Sequence, residues 1–410
     1  MSESPHVIVV GSGALGASTA WHLTQHGARV TLLERGPFAA ASSGRAAGLG
    51  LQIPPDDVLM AVSRAARDKL LSFERDTGQP LVVHESGSIK VARTAADAEL
   101  LRDEYARGRR AGVEVELIDA ATARELCPWF DPIGAVAMWY APGDVYLEPA
   151  DLPRAYLAAI HQAGGKAFDH TPVLDLVRDA DARITGVRTP DGTLTADHVV
   201  LAAGAWNQVL ADAAGAPLPL WPVRHELCVT EPHPSISDAQ PAVRVIDAKT
   251  YIRPYQGGLM FGGYEADPTP VDLVGRAPDL TLDDLPTDDR PLRGLAELVR
   301  DEFPLLHDLR WDVIRGGLPT LTPDGHYLLG PLGTSPGLWT IGGCNVAGLS
   351  TSPALGADLA SWIATGRRPD RVASFGVERF NGRFPGRDAL RESCLATYTD
   401  KYSSLETEAG

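Results

Sequence analysis

Three glycines and one carboxylate near the N-terminus have the spacing of a dinucleotide-binding turn. Gly11, Gly13 and Gly16 follow a short apolar run, and Glu34 follows a second one. The first glycine permits a tight turn, the second lets backbone N–H groups approach a pyrophosphate, and the third lets a helix pack closely on a strand. A carboxylate at Glu34 suits a ribose hydroxyl pair. The pattern therefore predicts nucleotide binding, with either NAD or FAD as the ligand.

The chain around these residues has the order of elements that such a site requires. Residues 7–10 and 30–33 are apolar runs typical of buried strands, and residues 14–26 between them have helical periodicity. A further run at 198–202 leads into a turn of small residues, where a backbone can touch a nucleotide. We therefore predict a Rossmann-like sheet.

The last part of the chain returns to the strand and helix pattern. A strand is predicted at 338–341 and a loop at 342–348. A helix is predicted at 353–364, with Ser352 as its N-cap and Pro353 at its first position. Its first turns would let a ring system approach the positive end of the helix, because they carry the small residues Ala354, Gly356 and Ala357.

Residues 222–314 alternate between apolar and polar side chains, which predicts an antiparallel sheet with one exposed face. The fold class is therefore α/β with an α+β substrate domain: a Rossmann-like nucleotide-binding domain interleaved with an antiparallel-sheet domain. We assign residues 1–85, 146–221 and 315–380 to the first domain, 86–145 and 222–314 to the substrate-binding domain, and 381–410 to a C-terminal extension.

Composition narrows the class of partner. The net charge of −16 over 410 residues disfavours binding to nucleic acid or to anionic lipid, so we expect small-molecule partners. No apolar run approaches the ~20 residues of a membrane span, and the N-terminus has no secretory signal, so we expect a cytoplasmic protein. The four cysteines are scattered without metal-ligand spacing, which predicts buried free thiols and no metal site.

Several segments resemble the D-amino-acid oxidase superfamily of FAD-dependent amine oxidoreductases: residues 11–34, 43–49, 203–206, 322–325 and 342–348. Residues 251–254, 262–265 and 379–380, followed by Tyr398 and Tyr402, look most like the flavin half of sarcosine and dimethylglycine dehydrogenases. The resemblance implies an FAD-binding domain and the oxidation of an amine. Because the chain stops soon after Tyr402, we expect the folate-binding half of those dehydrogenases to be absent from it.

The resemblance also implies that FAD is held without a covalent bond. Arg45 stands where dimethylglycine dehydrogenases carry a flavin-linked histidine, and Gly317 stands where monomeric sarcosine oxidases carry a flavin-linked cysteine. The residues expected to contact the cofactor are Gly11, Gly13, Ala14, Leu15, Gly16, Glu34, Arg35, Ser42, Ser43, Gly44, Arg45, Ala46, Ala47, Gly48, Leu49, Val173, Ala203, Gly204, Trp206, Gly343, Asn345, Val346, Ala347, Gly348, Leu349 and Ser350.

The chemistry that the resemblance implies is hydride transfer from the carbon beside an amine nitrogen to flavin N5, which gives an imine that water hydrolyses. Tyr251, Arg253 and Tyr264 are the candidate substrate-orienting residues, with His225 as a further candidate. Pro319 stands where D-amino-acid and glycine oxidases carry a carboxylate-binding arginine. Arg253 could replace that arginine, since a guanidinium binds a carboxylate bidentately.

Four functions stay open on these residues. The first is oxidation of a secondary, tertiary or N-methyl amine, and the second is a D-amino-acid dehydrogenase or oxidase. The third is a non-catalytic subunit that holds flavin within a hetero-oligomeric amine oxidase. The fourth is an NAD-dependent dehydrogenase, which the recurrence of cofactor-like segments along the whole chain disfavours. The electron acceptor is oxygen or another carrier; Met260 stands where monomeric sarcosine oxidase has a lysine that assists oxygen reduction.

Overall fold

A computed structural model describes residues 4–276 and 280–400. Residues 277–279 belong to the predicted substrate-domain segment, and 401–410 end the predicted C-terminal extension. Both stretches, and with them Tyr402, lie outside the described residues, as do residues 1–3. The domain limits given above stay a prediction.

The strands follow one another along the chain as β1 (His6–Val10), β2 (Arg29–Leu33), β3 (Leu49–Gly50), β4 (Ser88–Ala92), β5 (Glu116–Leu117), β6 (Ala137–Ala141), β7 (Val145–Tyr146), β8 (Lys166–Phe168), β9 (Asp175–Arg178), β10 (Ile184–Thr189), β11 (Gly192–Thr195), β12 (His198–Leu201), β13 (Trp221–Pro222), β14 (His225–Thr230), β15 (Ala242–Val245), β16 (Thr250–Tyr255), β17 (Gly258–Gly263), β18 (Trp311–Gly317), β19 (Thr320–Leu321), β20 (Leu328–Pro331) and β21 (Leu338–Gly342).

The α-helices are α1 (Ala14–Gln25), α2 (Asp57–Leu71), α3 (Phe73–Thr77), α4 (Ala95–Arg110), α5 (Ala120–Leu126), α6 (Asp151–Gln162), α7 (Asn207–Ala213), α8 (Arg290–Glu297), α9 (Leu305–Asp308), α10 (Gly348–Thr365) and α11 (Arg387–Thr399).

The first sheet confirms the predicted Rossmann-like fold. Its strand order is β20-β21-β12-β1-β2-β8, and all neighbours are parallel except the edge pair β20 and β21. Buried apolar side chains cover both faces, as in parallel sheets with helices on each side. Helices α1, α6 and α10 pack on one face. The strand, turn and helix of the glycine motif therefore lie at the centre of this sheet.

Helix α10 begins five residues earlier than the sequence predicted. It starts at Gly348, so Pro353 lies inside it and Ser352 is not its N-cap. A proline in a helix cannot donate to the carbonyl four residues before it, here that of Leu349. The Ser352 hydroxyl donates to the Leu349 oxygen at 2.8 Å instead. This substitution of one donor for another lets the helix continue through the proline.

The second sheet has the order β18-β14-β17-β16-β15-β4-β6-β5. It is antiparallel except for the parallel pair of β4 and β15. The prediction of one exposed face was wrong, because almost every residue of β14 to β17 is buried. One face packs on the apolar side chains of α5, α8 and α9. The other face forms a wall of the cavity described below.

No helix in the described ranges is both long enough and apolar enough to cross a membrane. No cluster of three or more histidine, cysteine or acidic side chains suited to a metal ion occurs within residues 4–276 and 280–400 either. Three of the four cysteines are buried free thiols, and Cys344 is half-buried.

A buried histidine in α1 makes the stability of this fold depend on pH. Burial lowers the pKa of His22 from 6.5 to about 3, and its Nε2 atom has no hydrogen-bond partner within the described chain. The unfolded state therefore binds more protons than the folded state between these two pH values. The free energy of unfolding consequently falls as the pH drops through this window. His22 contributes at most about 1.4 kcal/mol of this fall per pH unit.

We expect His22→Phe to remove this contribution, because phenylalanine keeps the ring contact with Trp21 and Tyr156 and does not titrate. The difference in unfolding free energy between variant and parent should grow in favour of the variant as the pH falls from 6.5 to about 4. Urea denaturation at several pH values measures it. His26→Gln, an exposed position one turn later, is the control. Equal pH dependence in all three proteins would contradict the assignment.

Candidate functional site

A cavity of about 830 Å³ runs between the two sheets. One part is lined by the glycine turn after β1, the segment 42–49 and the start of α10. The other part is lined by the inner face of the second sheet, opposite residues of α2 and α4. The predicted cofactor segments and the predicted substrate sheet thus share one continuous space.

The N-terminus of α1, where the sequence predicts a pyrophosphate, forms one end of the cavity. Gly13, Ala14 and Leu15 line it, and the Ala14 backbone N–H donates to the Ser43 hydroxyl at 3.0 Å. Glu34 also lines the cavity, and its carboxylate accepts from the Ser12 backbone N–H at 2.9 Å and from the Ser12 hydroxyl at 2.8 Å. This end therefore offers helix N–H groups to an anion and a carboxylate to a sugar hydroxyl.

Gly16 has a packing role and does not line the cavity. A side chain at Gly16 would collide with the Gly11 carbonyl, and one at Gly11 would meet the Ala202 carbonyl. Gly44 and Gly343 also lie outside the lining, since side chains there would meet Ala39 and Thr322. These glycines let the cofactor segments approach each other closely. Gly13 differs, because the nearest atom to a side chain there is the Ser43 hydroxyl at 3.1 Å.

The rest of the predicted cofactor set lines the cavity together with the glycine turn. Arg35 stacks its guanidinium over the Trp206 ring at 4.7 Å. Arg45 forms an ion pair with Asp283 at 2.6 Å. The lining residues from the predicted set are Gly11, Gly13, Ala14, Leu15, Glu34, Arg35, Ser42, Ser43, Arg45, Ala46, Ala47, Gly48, Leu49, Val173, Ala203, Gly204, Trp206, Asn345, Val346, Ala347, Gly348, Leu349 and Ser350.

The loop before α10 holds an uncommon backbone conformation at the cavity wall. Asn345 and Val346 have φ values of 44° and 71°, which is costly for a β-branched residue. The Asn345 side chain holds the loop, because its Oδ1 accepts from the Thr322 backbone N–H at 2.9 Å and its Nδ2 donates to the Gly343 carbonyl at 2.7 Å. The first turn of α10 consequently faces the cavity.

Because α10 starts at Gly348, the expected contact with a ring system shifts to the first turn of the observed helix. Gly348 and Ser350 line the cavity, whereas Ala354 and Gly356 do not. A side chain at Gly356 would collide with Ser18 of α1, so these small residues serve helix packing. The positive end of α10 thus lies at residues 348–351.

The residues present fit an extended dinucleotide. The lining combines N–H groups at two helix N-termini, the Glu34 carboxylate and a largely apolar wall. Position 13 forms a cradle that a side chain would fill. FAD would be held by the α1 turn at its pyrophosphate, by Glu34 at a ribose, and by the segments 45–49 and 345–350 at its ring.

A chain of hydrogen bonds crosses the second sheet beside the cavity. The His225 ring bonds through Nε2 to the Tyr251 hydroxyl at 2.8 Å and through Nδ1 to the Tyr398 hydroxyl at 2.7 Å. The Tyr398 hydroxyl donates to Glu265 at 2.6 Å. Its oxygen therefore accepts from His225 Nδ1–H, and His225 Nε2 accepts from the Tyr251 hydroxyl. His225, Tyr251 and Tyr264 all line the cavity.

Tyr398 is a site residue that the sequence did not identify as one. It lies on α11, 173 residues from His225 in sequence, and its side chain is completely buried. Burial and the nearby Glu265 carboxylate raise the pKa of Tyr398 well above its usual range, so the hydroxyl keeps its proton. Burial also raises the pKa of Glu265. The family resemblance named Tyr398, but only the packing of α11 connects it to His225.

The expected role of Arg253 as a carboxylate clamp does not fit its position. Arg253 shares a strand face with Tyr251 but does not line the cavity and is completely buried. Its Nε donates to the Ala47 carbonyl at 2.5 Å, and its guanidinium lies between the Tyr146 and Tyr255 rings at 4.6 and 5.1 Å. Segment 46–49 covers this part of the strand. Arg253 therefore supports segment 46–49 from the side of the second sheet.

Charged side chains at the other part of the cavity were not predicted. Lys90 of β4 and Arg244 of β15 line the cavity with Glu104 and Arg107 of α4. Lys90 and Glu104 form a buried ion pair at 2.5 Å. A lysine in the middle of the buried strand 88–92 is the sequence signal that could have identified this group. We call these four residues the charged end of the cavity.

A matched pair of variants separates cofactor binding from packing. We expect Gly13→Val to lose FAD while the apoprotein keeps its stability, because a side chain there enters the pyrophosphate space and meets only the Ser43 hydroxyl. Gly16→Val should instead lower the unfolding free energy of the apoprotein by more than about 2 kcal/mol, since it collides with the Gly11 backbone. FAD content after gel filtration and urea denaturation measure the two effects. Full FAD content in Gly13→Val would refute the assignment.

For Arg253→Met we expect a loss of stability and no specific loss of substrate binding. Removal of the guanidinium leaves the Ala47 carbonyl without its donor, which costs about 1 to 3 kcal/mol. Denaturation of the apoprotein and KM values for carboxylate-bearing amines in the FAD-loaded fraction measure the two quantities. Arg315→Met, on the same sheet and outside the cavity lining, is the control. A raised KM with unchanged stability would restore the clamp.

Comparison with known proteins agrees with this geometry. The family model described as FAD dependent oxidoreductase matches residues 6–362. The chain is 28% identical over 393 residues to the mitochondrial pyruvate dehydrogenase phosphatase regulatory subunit of Mus musculus, covering 95% of this chain and 44% of that protein. It is 27% identical over 412 residues to the mitochondrial sarcosine dehydrogenase of Homo sapiens, covering 98% and 44%. The chain thus spans less than half the length of these relatives.

The fold is similar to that of the crystal structure of glycine oxidase from Geobacillus kaustophilus. The TM-score is 0.77 with 25% sequence identity, over 93% of this chain and 100% of that chain. This similarity covers both the Rossmann-like sheet and the second sheet.

Proposed function

Because the chain belongs to the family of FAD-dependent oxidoreductases, we propose that it oxidises the C–N bond of a small secondary or tertiary amine, such as an N-methylated amino acid. The resemblance noted in the sequence is confirmed, and FAD is the cofactor in place of NAD. The observation that carries the proposal is the hydrogen-bonded His225 and Tyr251 pair on the wall of the cofactor cavity. The sarcosine dehydrogenase relative, named for an N-methyl amine, supports the substrate class.

Bound FAD would supply the hydride acceptor. The protein must first take a proton from the substrate, because an ammonium has no lone pair to assist hydride loss. The Tyr251 oxygen can accept this proton while its own proton passes to His225 Nε2. The Tyr398 oxygen then stabilises the imidazolium through Nδ1–H, and the Glu265 carboxylate next to it compensates the positive charge.

The first turn of α10 has a different task. Its N–H groups at residues 348–351 form the positive end of a helix of 18 residues. Such an end stabilises negative charge that develops near it, and it needs no reorganisation during the reaction. The left-handed backbone conformation at Val346 costs free energy, and it orients this end of the helix toward the cavity.

Two further properties belong to the proposal. FAD is held non-covalently, because Arg45 is committed to its ion pair with Asp283 and Gly317 has no side chain. The electron acceptor is a carrier other than oxygen, since Met260, which stands in place of the lysine that assists oxygen reduction, is an apolar and fully buried side chain.

A second candidate is a flavin-holding subunit without catalytic activity. The regulatory-subunit relative supports it, because a protein of similar sequence over 95% of this chain is named for regulation. A D-amino-acid oxidase or dehydrogenase is less well supported, since Pro319 and the buried Arg253 leave the usual α-carboxylate clamp unfilled. Reduction of bound flavin by an added amine separates the first candidate from the second.

The test is an anaerobic absorbance titration of the purified holoenzyme with secondary amines, N-methyl amines and D-amino acids. We expect bleaching by an N-methyl amine. His225→Gln and Tyr251→Phe should slow that reduction roughly 100-fold or more, the scale of a lost proton acceptor. Tyr255→Phe, on the same strand but outside the cavity lining, should not slow it.

The outcomes are distinct. A yellow protein that no amine bleaches supports the non-catalytic subunit and overturns the proposal. Bleaching by D-amino acids alone moves the substrate class to those acids. Acid precipitation of the same sample should release the flavin into the supernatant, and colour that stays in the pellet would refute non-covalent binding.

A further inference from the structure

We propose that Arg244, at the charged end of the cavity, binds a carboxylate of the substrate that lies several bonds away from the oxidised amine. This inference rests on the proposed amine oxidation and adds the class of amine: an N-methylated ω-amino acid. Arg244 therefore takes the carboxylate-binding role that the sequence suggested for Arg253. It lies elsewhere on the second sheet, and it binds an ω-amino acid and not an α-amino acid.

One row of residues across the second sheet contains both ends of the proposed substrate site. Paired positions on neighbouring strands put Gly262, Tyr251, Arg244, Lys90 and Trp139 side by side, in that order. Directly paired residues point to the same face of a sheet, which here is the face toward the cavity. The row thus runs from the proton-accepting hydroxyl to the charged end.

The two functional groups of this row lean in opposite directions. The Tyr251 ring lies over Gly262, where a side chain would collide with it. The Arg244 guanidinium lies 5.2 Å from the centre of the Trp139 ring, and its Nη2 donates to the Ser88 hydroxyl at 3.3 Å. Neighbouring strands are ~4.8 Å apart, so the guanidinium and the Tyr251 hydroxyl are roughly 10 to 15 Å apart.

Arg244 has binding capacity that the protein does not use. It is 3% exposed, it lines the cavity, and within the described chain its Nε has no hydrogen-bond partner. Its nearest carboxylate, Asp144, is 4.0 Å away and accepts from the Ser88 hydroxyl and the Gln52 backbone N–H. A buried N–H group without an acceptor is costly, and a carboxylate entering the cavity would satisfy it.

The neighbouring charges favour an anion at this end. Glu104 is paired with Lys90 through both carboxylate oxygens, at 2.5 and 2.7 Å, so it is already neutralised. Arg107 donates from Nη2 to the Pro54 carbonyl at 2.7 Å, and its Nε has no partner among the described residues. Asp103, which lines the cavity next to Glu104 in sequence, is exposed to solvent. Lys90 is balanced by Glu104, and Arg244 has Asp144 at 4.0 Å, so the half-buried Arg107 leaves one positive charge in excess at this end.

The separation selects the substrate. In an α-amino acid the carboxylate is attached to the carbon beside the nitrogen, so it cannot reach Arg244 while the amine is at Tyr251. A chain of several carbons between nitrogen and carboxylate spans the distance. The apolar side chains Leu51, Ile53 and Leu100 line the cavity near this end and suit such a chain.

The first experiment compares sarcosine, 4-methylaminobutanoate, 6-methylaminohexanoate and N-methylpentylamine as reductants of the holoenzyme. We expect kcat/KM to rise with chain length among the acids and to be low for the amine without a carboxylate. Arg244→Gln should raise KM for the longer acids roughly 10- to 100-fold and leave N-methylpentylamine unchanged. Arg315→Gln is the matched control, since the buried Nε of Arg315 also has no partner among the described residues but Arg315 does not line the cavity.

The second experiment does not depend on turnover. Calorimetric titration of the holoenzyme with hexanoate should show binding that Arg244→Gln weakens roughly 10- to 100-fold and Arg244→Lys weakens less. FAD content and circular dichroism establish that the variants are folded. A failure of every amine to bleach the flavin would refute the proposed function, while the hexanoate titration would still decide the role of Arg244. Equal hexanoate binding by parent and Arg244→Gln, or a preference for sarcosine over the longer acids, would overturn the inference.

Discussion

The bond from Arg253 Nε to the Ala47 carbonyl connects the two halves of the site. Arg253 belongs to β16 of the second sheet, whereas Ala47 belongs to the segment that follows the Rossmann-like turn. The cofactor segment therefore rests directly on the strand that carries Tyr251. A displacement of one moves the other, so this buried contact fixes the position of segment 46–49 relative to the Tyr251 hydroxyl.

Burying a full positive charge to make such a contact costs free energy, and the surroundings of Arg253 reduce this cost. Burial lowers the pKa of Arg253, whereas Glu148 at 3.8 Å and the tyrosine rings on both sides favour the charged form. A lysine would lack the planar group that stacks between two rings while donating in its own plane. The geometry of the contact thus requires an arginine, although Arg253 does not line the cavity.

The parts of the fold that depend on local chain chemistry could be predicted from the sequence. Short apolar runs and the glycine spacing identified the Rossmann-like sheet and its turn, because strand burial and a tight turn leave direct marks on composition. The start of α10 could not be read in the same way. Pro353 has the local features of a helix start, and only the hydroxyl of Ser352 lets the helix pass through it.

The surroundings of Arg253 and Tyr398 could not be predicted from the sequence, because they depend on contacts between distant segments. Tyr251 and Arg253 alternate correctly on β16, but segment 46–49 covers one and leaves the other open to the cavity. Tyr398 reaches His225 only because α11 packs back on the strands β13 and β19. Strand periodicity gives the face on which a side chain lies and cannot tell what covers that face.

The charges along the cavity match the chemistry that we propose for each part of it. Helix N-termini offer partial positive charge without a titrating group where a phosphate or a reduced ring would lie, so their strength is independent of pH. The middle of the cavity carries hydroxyls and one imidazole, which can pass a proton without a buried net charge in the resting state. Among the cations of the lining, Arg35 stacks on the Trp206 ring and Arg45 pairs with Asp283. At the charged end Lys90 is neutralised by Glu104, whereas the Arg244 Nε has no hydrogen-bond partner among the described residues. A buried N–H group without an acceptor is costly, and the place of Arg244 in the cavity lining lets a carboxylate reach it.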